Sequence, residues 1–112
     1  MGKIRLLVLD VLKPHQPSIL RMATLLSDIK GVDGCDITVY EIDSKVENVK
    51  VTIEGKDIKF DDVKKVIEDN GATIHSIDKV STGSVIVEEA QTHQDAYNWN
   101  GKKILEKIKW IW

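Results

Sequence analysis

The sequence predicts an α+β fold of the ferredoxin-like type, a split βαβ sandwich with two helices on one face of an antiparallel sheet. Three observations predict it. An apolar β-type run, an amphipathic helix and a second β run ending in Ile42-Asp43 follow one another along the chain. The same pattern recurs and ends at Ile77-Asp78. Both copies fit within 112 residues, a length that suits one domain with one core.

Composition and charge favour a soluble globular protein. Charged residues make up 30% of the chain, hydrophobic residues 42%, and the formal net charge is -2, which gives no general attraction for nucleic acid. Cys35 is the only cysteine, so no intramolecular disulfide can form and a reducing compartment is expected. Residues 1–5 lead straight into a strand without the small-residue cleavage site of a signal peptide. We therefore expect a cytoplasmic protein.

The first predicted strand covers residues 4–12, which are apolar almost without interruption. Such a run is typical of a central strand that is covered on both faces. The first helix is predicted to hold Pro17 in its first turn and to end at Gly31, because proline suits that turn and glycine ends helices. Its apolar face carries Ile19, Met22, Leu25, Leu26 and Ile29.

The second and third strands follow with a period of two residues. Residues 36–43 alternate between apolar and polar side chains, which predicts a half-exposed strand. The third strand starts near Asn48 and is expected to end at Gly55. Its alternation places three side chains toward the core, namely Val49, Val51 and Ile53.

A second helix and two more strands complete the predicted fold. The helix begins near Phe60 with Asp61 and Asp62 in its first turn, where carboxylates suit the helix dipole, and ends at Gly71. The fourth strand is predicted over residues 73–80. A Thr-Gly-Ser turn after it is expected to lead into a fifth strand over residues 85–90.

One face of the predicted sheet has no helix to cover it, although the first strand is apolar on both sides. Another subunit is the simplest cover, so we expect a homo-oligomer. The fifth strand or the C-terminal tail folding back on this face are the alternatives.

The C-terminal tail, residues 96–112, differs from the ferredoxin-like domain predicted over residues 1–95. It holds all three tryptophans, and residues 102–112 carry apolar side chains at helical spacing opposite a row of lysines, which predicts a basic amphipathic helix. Three interpretations compete: packing on the uncovered sheet face or a sister subunit, contact with an anionic membrane surface, and a segment appended by design. Packing is favoured, since tryptophan-rich helices more often complete an interface.

Asp10 is the first candidate for chemistry, because a carboxylate within an apolar central strand needs a partner. In the usual strand order of this fold, the fourth strand lies beside the first, which makes His75 and Asp78 its expected neighbours. Carboxylate oxygens suit Ca²⁺ or Mg²⁺, and the added histidine suits Zn²⁺ or Mn²⁺. The alternative is that Asp10 lies at the strand end and accepts hydrogen bonds from loop amides.

Lys13 and His15 form a second candidate, because two prolines hold His15 just before a helix N-terminus. Helix N-termini attract anions, so a phosphate or carboxylate ligand is one interpretation. The simpler interpretation is that the prolines only direct the helix and His15 is solvated.

Glu41, Asp43 and Glu47 form a third candidate at the turn between the second and third strands. They suit a second cation site or a salt-bridge rim to a neighbouring subunit, although no EF-hand spacing is present. A solvated acidic turn is the commoner explanation for such a cluster.

Catalytic motifs are absent from the sequence. It contains no phosphate-binding loop, no Gly-x-Ser-x-Gly elbow and no His-Glu-x-x-His, and Cys35 is interpreted as a small packed residue. An RNA-recognition module would need aromatic residues on its central strands, which this chain does not offer.

Several motifs resemble those of an archaeal family known as domain of unknown function 211. In order they are Leu9-Asp10-Val11-Leu12-Lys13-Pro14-His15-Gln16-Pro17, Glu41-Ile42-Asp43, Glu47-Asn48-Val49-Lys50-Val51-Thr52-Ile53, Ile74-His75-Ser76-Ile77-Asp78, Val87-Glu88-Glu89 and Thr92-His93-Gln94-Asp95. The resemblance covers about residues 3–95. It implies a ferredoxin-like domain that assembles into rings, with divalent ions bound in some members and an unsettled biochemical role. Gln16 departs from the family, where a glutamate is usual, and so does the tail after Asp95.

These features together favour a non-enzymatic, oligomeric ligand-binding or regulatory module that binds a divalent cation or a small anion between strands or subunits. The first alternative is an enzyme with its site at subunit interfaces, built from Asp10, His15 and His75. The second is a purely structural assembly unit. A binding module needs only a few convergent groups, whereas catalysis needs several around one pocket.

Overall fold

The computed structural model describes residues 2–90, which form one antiparallel sheet with two helices. The elements are β1 (Ile4–Pro14), α1 (Ile19–Ser27), β2 (Val32–Ile42), β3 (Val46–Ile58), α2 (Phe60–Asp69) and β4 (Thr73–Thr82). The strand order is β2-β3-β1-β4, so β1 and β3 are central. This confirms the predicted α+β architecture of four strands and two helices, and the order is compatible with a ferredoxin-like fold.

The core lies between the helices and one face of the sheet. Alternate residues of β1 and β3 point into it, and Val49, Val51 and Ile53 are fully buried, as the period-two pattern predicted. The helices contribute one buried pair each, Met22 with Leu26 and Val63 with Ile67. We call this side the helix-covered face and the other side the open face.

The open face holds the remaining residues of the central strand. Leu6 and Val8 lie on it and are only 9% and 8% exposed within the described chain. Leu12, at the far end of the same row, is 37% exposed. The two-sided apolarity of β1 is therefore real, and along this row of β1 the exposure of the apolar side chains is greatest at Leu12.

Helix α1 begins at Ile19, two residues after the proline that the sequence predicted in its first turn. Ser18 is extended and its side-chain oxygen accepts a hydrogen bond from the Arg21 amide at 3.3 Å, which makes it the N-cap. Pro17 therefore precedes the cap instead of lying in the first helical turn. The helix also ends at Ser27, before Gly31.

Gly31 and Gly55 have a different role from the one predicted. A Cβ on Gly55 would lie 2.0 Å from the Gly31 carbonyl oxygen, and a Cβ on Gly31 would lie 2.2 Å from that of Asp57. The Gly31 oxygen accepts from the Lys56 amide at 3.1 Å. The prediction that β3 ends at Gly55 is wrong: the strand continues to Ile58, and glycine is needed because two backbones cross in contact there.

The C-terminal part of the described chain also differs from the prediction. Strand β4 extends to Thr82, but residues 86–90 have no regular secondary structure, so the fifth strand is not formed over them. The predicted tail helix, residues 102–112, lies outside the described residues. Within residues 2–90, neither helix has the length and apolar character needed to cross a membrane.

Candidate functional site

Lys13, Glu47 and His15 form a compact charged cluster at the C-terminal end of β1. Lys13 and Glu47 lie opposite each other in the β1–β3 ladder. The Lys13 side chain is fully buried, and its Nζ lies 2.9 Å from Glu47 Oε1. The other carboxylate oxygen, Oε2, lies 3.0 Å from His15 Nδ1. The carboxylate of Glu47 thus bridges two basic side chains.

The electrostatics of this cluster follow from that bridge. The hydrogen bond to Glu47 raises the pKa of His15 above its ordinary value of 6.5. The hydrogen bonds from His15 and Lys13 lower the pKa of Glu47. Both shifts favour the charged forms, so the cluster is an internal ion network and not a set of free cations.

Lys13 and His15, which were predicted to bind an anion together, differ in how accessible they are to a ligand. Lys13 Nζ also donates to the Pro14 carbonyl at 2.8 Å, so its ammonium group is directed into the protein. His15 remains 42% exposed at its side chain. Of this pair, only the imidazole is accessible to a ligand.

The three carboxylates of the turn between β2 and β3 do not lie together. Asp43 Oδ1 accepts hydrogen bonds from the Lys45 and Val46 amides, each at 2.8 Å, and these bonds lower the pKa of Asp43. Glu47 points away to Lys13. The predicted group of three carboxylates is reduced to Glu41 and Asp43 on one side, with Glu47 on the other.

A cavity of about 160 Å³ lies at this turn, and we call it the acidic-turn pocket. Its lining residues are Leu12, Glu41, Ile42, Asp43, Val46 and Asn48. Asn48 Oδ1 is buried and has no hydrogen-bond partner within the described part of the chain. The sequence placed Asn48 at the start of the third strand but did not mark it as a candidate ligand. Its position opposite Leu12 in the ladder places it on the open face.

Asp10 lies on the open face between Lys50 of β3 and Ser76 of β4. The β4 register shifts on both sides of Ser76, and His75 and Asp78 lie at these irregular positions. Ser76 Oγ donates to Asp78 Oδ1 at 2.7 Å. The expected strand neighbourhood is therefore present, but a serine and a lysine lie directly opposite Asp10.

The residues predicted to bind a metal are not arranged as a set of ligands in the described part of the chain. Within residues 2–90, no group of three or more histidine, cysteine, aspartate or glutamate side chains is arranged to hold a metal ion. Asp10, His75 and Asp78 are thus not brought together as a ligand set. The acidic-turn pocket offers two carboxylates and one amide oxygen instead.

Lys50 lies opposite Asp10 on β3, and its side chain reaches toward β2. The Lys50 Nζ lies 5.8 Å from the centre of the Tyr40 ring. The Tyr40 hydroxyl raises the pKa of Lys50, and Asp78 makes a smaller contribution in the same direction. The open face therefore carries Asp10 and Lys50 opposite each other at its centre.

Cys35 packs against the core from β2. Burial raises the pKa of its thiol to about 11, so the reactive thiolate is scarce near neutral pH. This agrees with its interpretation as a small packed residue.

A second cavity, of about 420 Å³, lies at the opposite end of β1, and we call it the basic cavity. Its lining residues are Gly2, Lys3, Arg5, Lys56, Gly83 and Ser84. The sequence did not predict these basic residues as a group, because each of them alone is typical of the surface near a strand end. The only available signal was the basic character of residues 3 and 5 at the start of an apolar strand.

Comparison with known proteins places this chain in a family. The family model for domain of unknown function 211, described as uncharacterized ArCR, matches residues 5–96. An uncharacterized protein of Methanocaldococcus jannaschii is 54% identical over 97 residues, which cover 87% of this chain and 100% of that protein. The match over most of the chain and the level of identity show that this protein belongs to the archaeal DUF211 family.

Proposed function

We propose that this protein is a non-enzymatic, oligomeric ligand-binding module of regulatory type that holds a divalent cation in the acidic-turn pocket. The observation that carries the proposal is the buried Asn48 Oδ1, an acceptor without a donor in the described chain, beside Glu41 and Asp43. A buried acceptor without a partner costs stability. A bound cation would satisfy it.

The chemistry of the pocket suits a hard cation. Its polar lining consists of carboxylate and amide groups, the oxygen ligands that Ca²⁺ prefers. Asp43 Oδ1 is already engaged by two backbone amides, which fixes the carboxylate and leaves Oδ2 for a ligand. Protein donors would supply only part of the coordination, and water or a neighbouring subunit would supply the rest.

The oligomeric part of the proposal rests on the same corner of the sheet. Leu12 lines the acidic-turn pocket and is 37% exposed, and Tyr40 of β2, on the far side of β3, is 57% exposed. A second copy placed over this part of the open face would bury both side chains. It would also close the pocket, which couples assembly to ligand occupancy and supports a regulatory role.

Melting curves of the full chain with Ca²⁺, Mg²⁺ or EDTA test the cation site, and native mass spectrometry of the same samples tests the assembly. Ligand that binds only the folded state raises the melting temperature with the logarithm of its concentration. We expect Ca²⁺ to raise it in the parent protein and to have no effect in Glu41→Gln.

A matched control is Glu54→Gln, which removes the same charge from β3 at the other end of the open face. It should retain the full Ca²⁺ response. Superimposable curves in metal and EDTA would refute the cation site, and a monomer by mass spectrometry would refute the oligomer.

A further inference from the structure

The basic cavity is a strongly charged concave surface that the cation proposal leaves unused. Three of its six lining residues are cationic, namely Lys3, Arg5 and Lys56, and none is acidic. Its volume of about 420 Å³ falls within the range of small-molecule sites. It lies at the N-terminal end of β1, away from the acidic-turn pocket at the other end.

Arg5 is held in place by backbone carbonyls. Its Nε donates to the Gly55 oxygen at 3.0 Å, and one terminal nitrogen donates to the oxygens of Gly83 at 3.1 Å and Ser84 at 3.0 Å. These bonds use three of the five N–H groups of a guanidinium. The side chain is therefore fixed before any ligand arrives.

The charge of Arg5 has no internal counterion in the described chain. No carboxylate of residues 2–90 lies within ion-pair distance of it, although Arg5 is half-buried. Carbonyl dipoles offset part of this charge but leave the net charge in place. A half-buried cation of this kind is stabilised by an anion that reaches the two remaining donors.

The two lysines at the cavity are only loosely paired. Lys3 Nζ lies 3.9 Å from Asp57 and Lys56 Nζ lies 3.7 Å from Asp33, both longer than a charge-assisted hydrogen bond. Asp57 is shared with Lys59, which lies closer at 3.2 Å. Both cavity lysines are largely exposed, so little energy is needed to redirect them toward a ligand.

We propose that the basic cavity binds the phosphoryl group of a small ligand. The fixed guanidinium of Arg5 offers its two remaining N–H groups, both on Nη2, in a defined direction. Lys3 and Lys56 supply mobile point charges, and the combination suits a phosphate dianion. Ser84 adds a hydroxyl, and the absence of side chains at Gly2 and Gly83 keeps the cavity open. This site is separate from the cation site of the proposed function and has the opposite charge preference.

Isothermal titration calorimetry on the full chain tests the proposal with inorganic phosphate, pyrophosphate and glycerol 3-phosphate, each against sodium chloride of equal ionic strength. We expect saturable binding of at least one phosphate probe. The double variant Lys3→Gln/Lys56→Gln should weaken it by about tenfold or more, because two charged donors are lost.

The matched control is Lys45→Gln/Lys64→Gln, which removes two exposed lysines that do not line the cavity. It should bind within about twofold of the parent, since only long-range attraction changes. Equal weakening in both double variants would show nonspecific screening and overturn the site, as would the absence of saturable binding by all three probes. Tighter binding of glycerol 3-phosphate than of inorganic phosphate would identify an organic phosphate as the ligand, and the reverse order would identify the free anion.

Arg5→Lys adds an independent test of geometry. It keeps the charge but loses the planar guanidinium that three carbonyls hold in one direction, so binding should weaken even where the melting temperature is retained. Unchanged affinity in this variant would contradict the role of Arg5. Glu41→Gln should leave phosphate binding intact, so failure of the cation site and failure of the phosphate site are distinguishable.

Discussion

The two ends of the central strand carry basic side chains in opposite electrostatic situations. At the C-terminal end, Lys13 is fully buried and lies 2.9 Å from the Glu47 carboxylate. At the N-terminal end, Arg5 is half-buried and bonded to three carbonyl oxygens, with no carboxylate partner among residues 2–90. A buried cation with a counterion in the fold is compensated internally, whereas one left uncompensated beside a cavity is available to a ligand.

The difference also separates stability from binding along the same strand. Burial at the Lys13 end excludes solvent and makes its ion pair sensitive to the loss of either partner. The Arg5 end opens to water through the basic cavity, so solvent moderates any loss of contact there. Changes at the two ends should therefore differ in size and in their response to ligands.

The largest effect is expected from Glu47→Gln. This change leaves the Lys13 ammonium buried without its counterion, and we expect the free energy of unfolding to fall by about 3 kcal/mol, at the low end for such pairs because the Pro14 carbonyl still accepts. Urea denaturation measures it. Lys13→Met, which removes the charge and keeps an apolar side chain, should cost less; an equal or larger loss would show that burial of an uncompensated charge is not the cause.

A smaller loss is expected from Arg5→Met at the other end. Three hydrogen bonds from a charged donor disappear, but water can replace them in the open cavity, so we expect about 1.5 kcal/mol. Arg21→Met, on the exposed side of α1, serves as the control and should change stability by less than about 0.5 kcal/mol. A larger loss of unfolding free energy in Arg5→Met than in Glu47→Gln would contradict the expected order of the two ends.

A pH dependence should distinguish the Lys13 end. Since the pKa of His15 is raised in the folded state by Glu47, its contribution is fully present below about pH 6.5 and is lost as pH rises through the folded value. His15→Gln should therefore be less stable than the parent at about pH 6 and nearly equal to it at about pH 8.5. Urea midpoints at the two pH values measure the gap, and a gap that grows with pH would contradict the His15–Glu47 interaction.

The smallest effect concerns Cys35, which lies on β2 near the Arg5 end. With a thiol pKa of about 11, only about one thiol in a thousand is ionised at about pH 8, so alkylation by iodoacetamide should be slow. Glu47→Gln should accelerate it only through global unfolding, in proportion to the lost stability. Fast labelling of the parent protein would show that the Arg5 end opens locally.

Much of the architecture follows from short-range sequence patterns. The alternation of Val49, Val51 and Ile53 predicted a half-buried strand, and the apolar stripe that includes Met22 and Leu26 predicted a helix. Both are confirmed. The ends of elements were less predictable, because β3 passes Gly55 where two backbones touch and residues 86–90 form no strand.

The candidate sites were only partly predictable. Lys13, His15 and Glu47 were each identified as candidates, but the first two were assigned to an anion and the third to a cation. The structure instead joins them in one network, because the β1–β3 register places Lys13 opposite Glu47. Asn48 and Arg5 were not identified as candidates from the sequence, since their significance depends on which partners the fold leaves out.

By itself the sequence determined the strand and helix faces, the single core and the family, because periodicity and motifs are properties of neighbouring residues. Only the tertiary structure decided which charges are neutralised. Arg5 meets the Gly55 carbonyl 50 residues away, and Lys13 meets Glu47 across the β1–β3 ladder. Such contacts depend on strand register and loop approach, which local patterns leave undetermined. They decide whether a buried charge has a counterion within the fold or is left uncompensated beside a cavity.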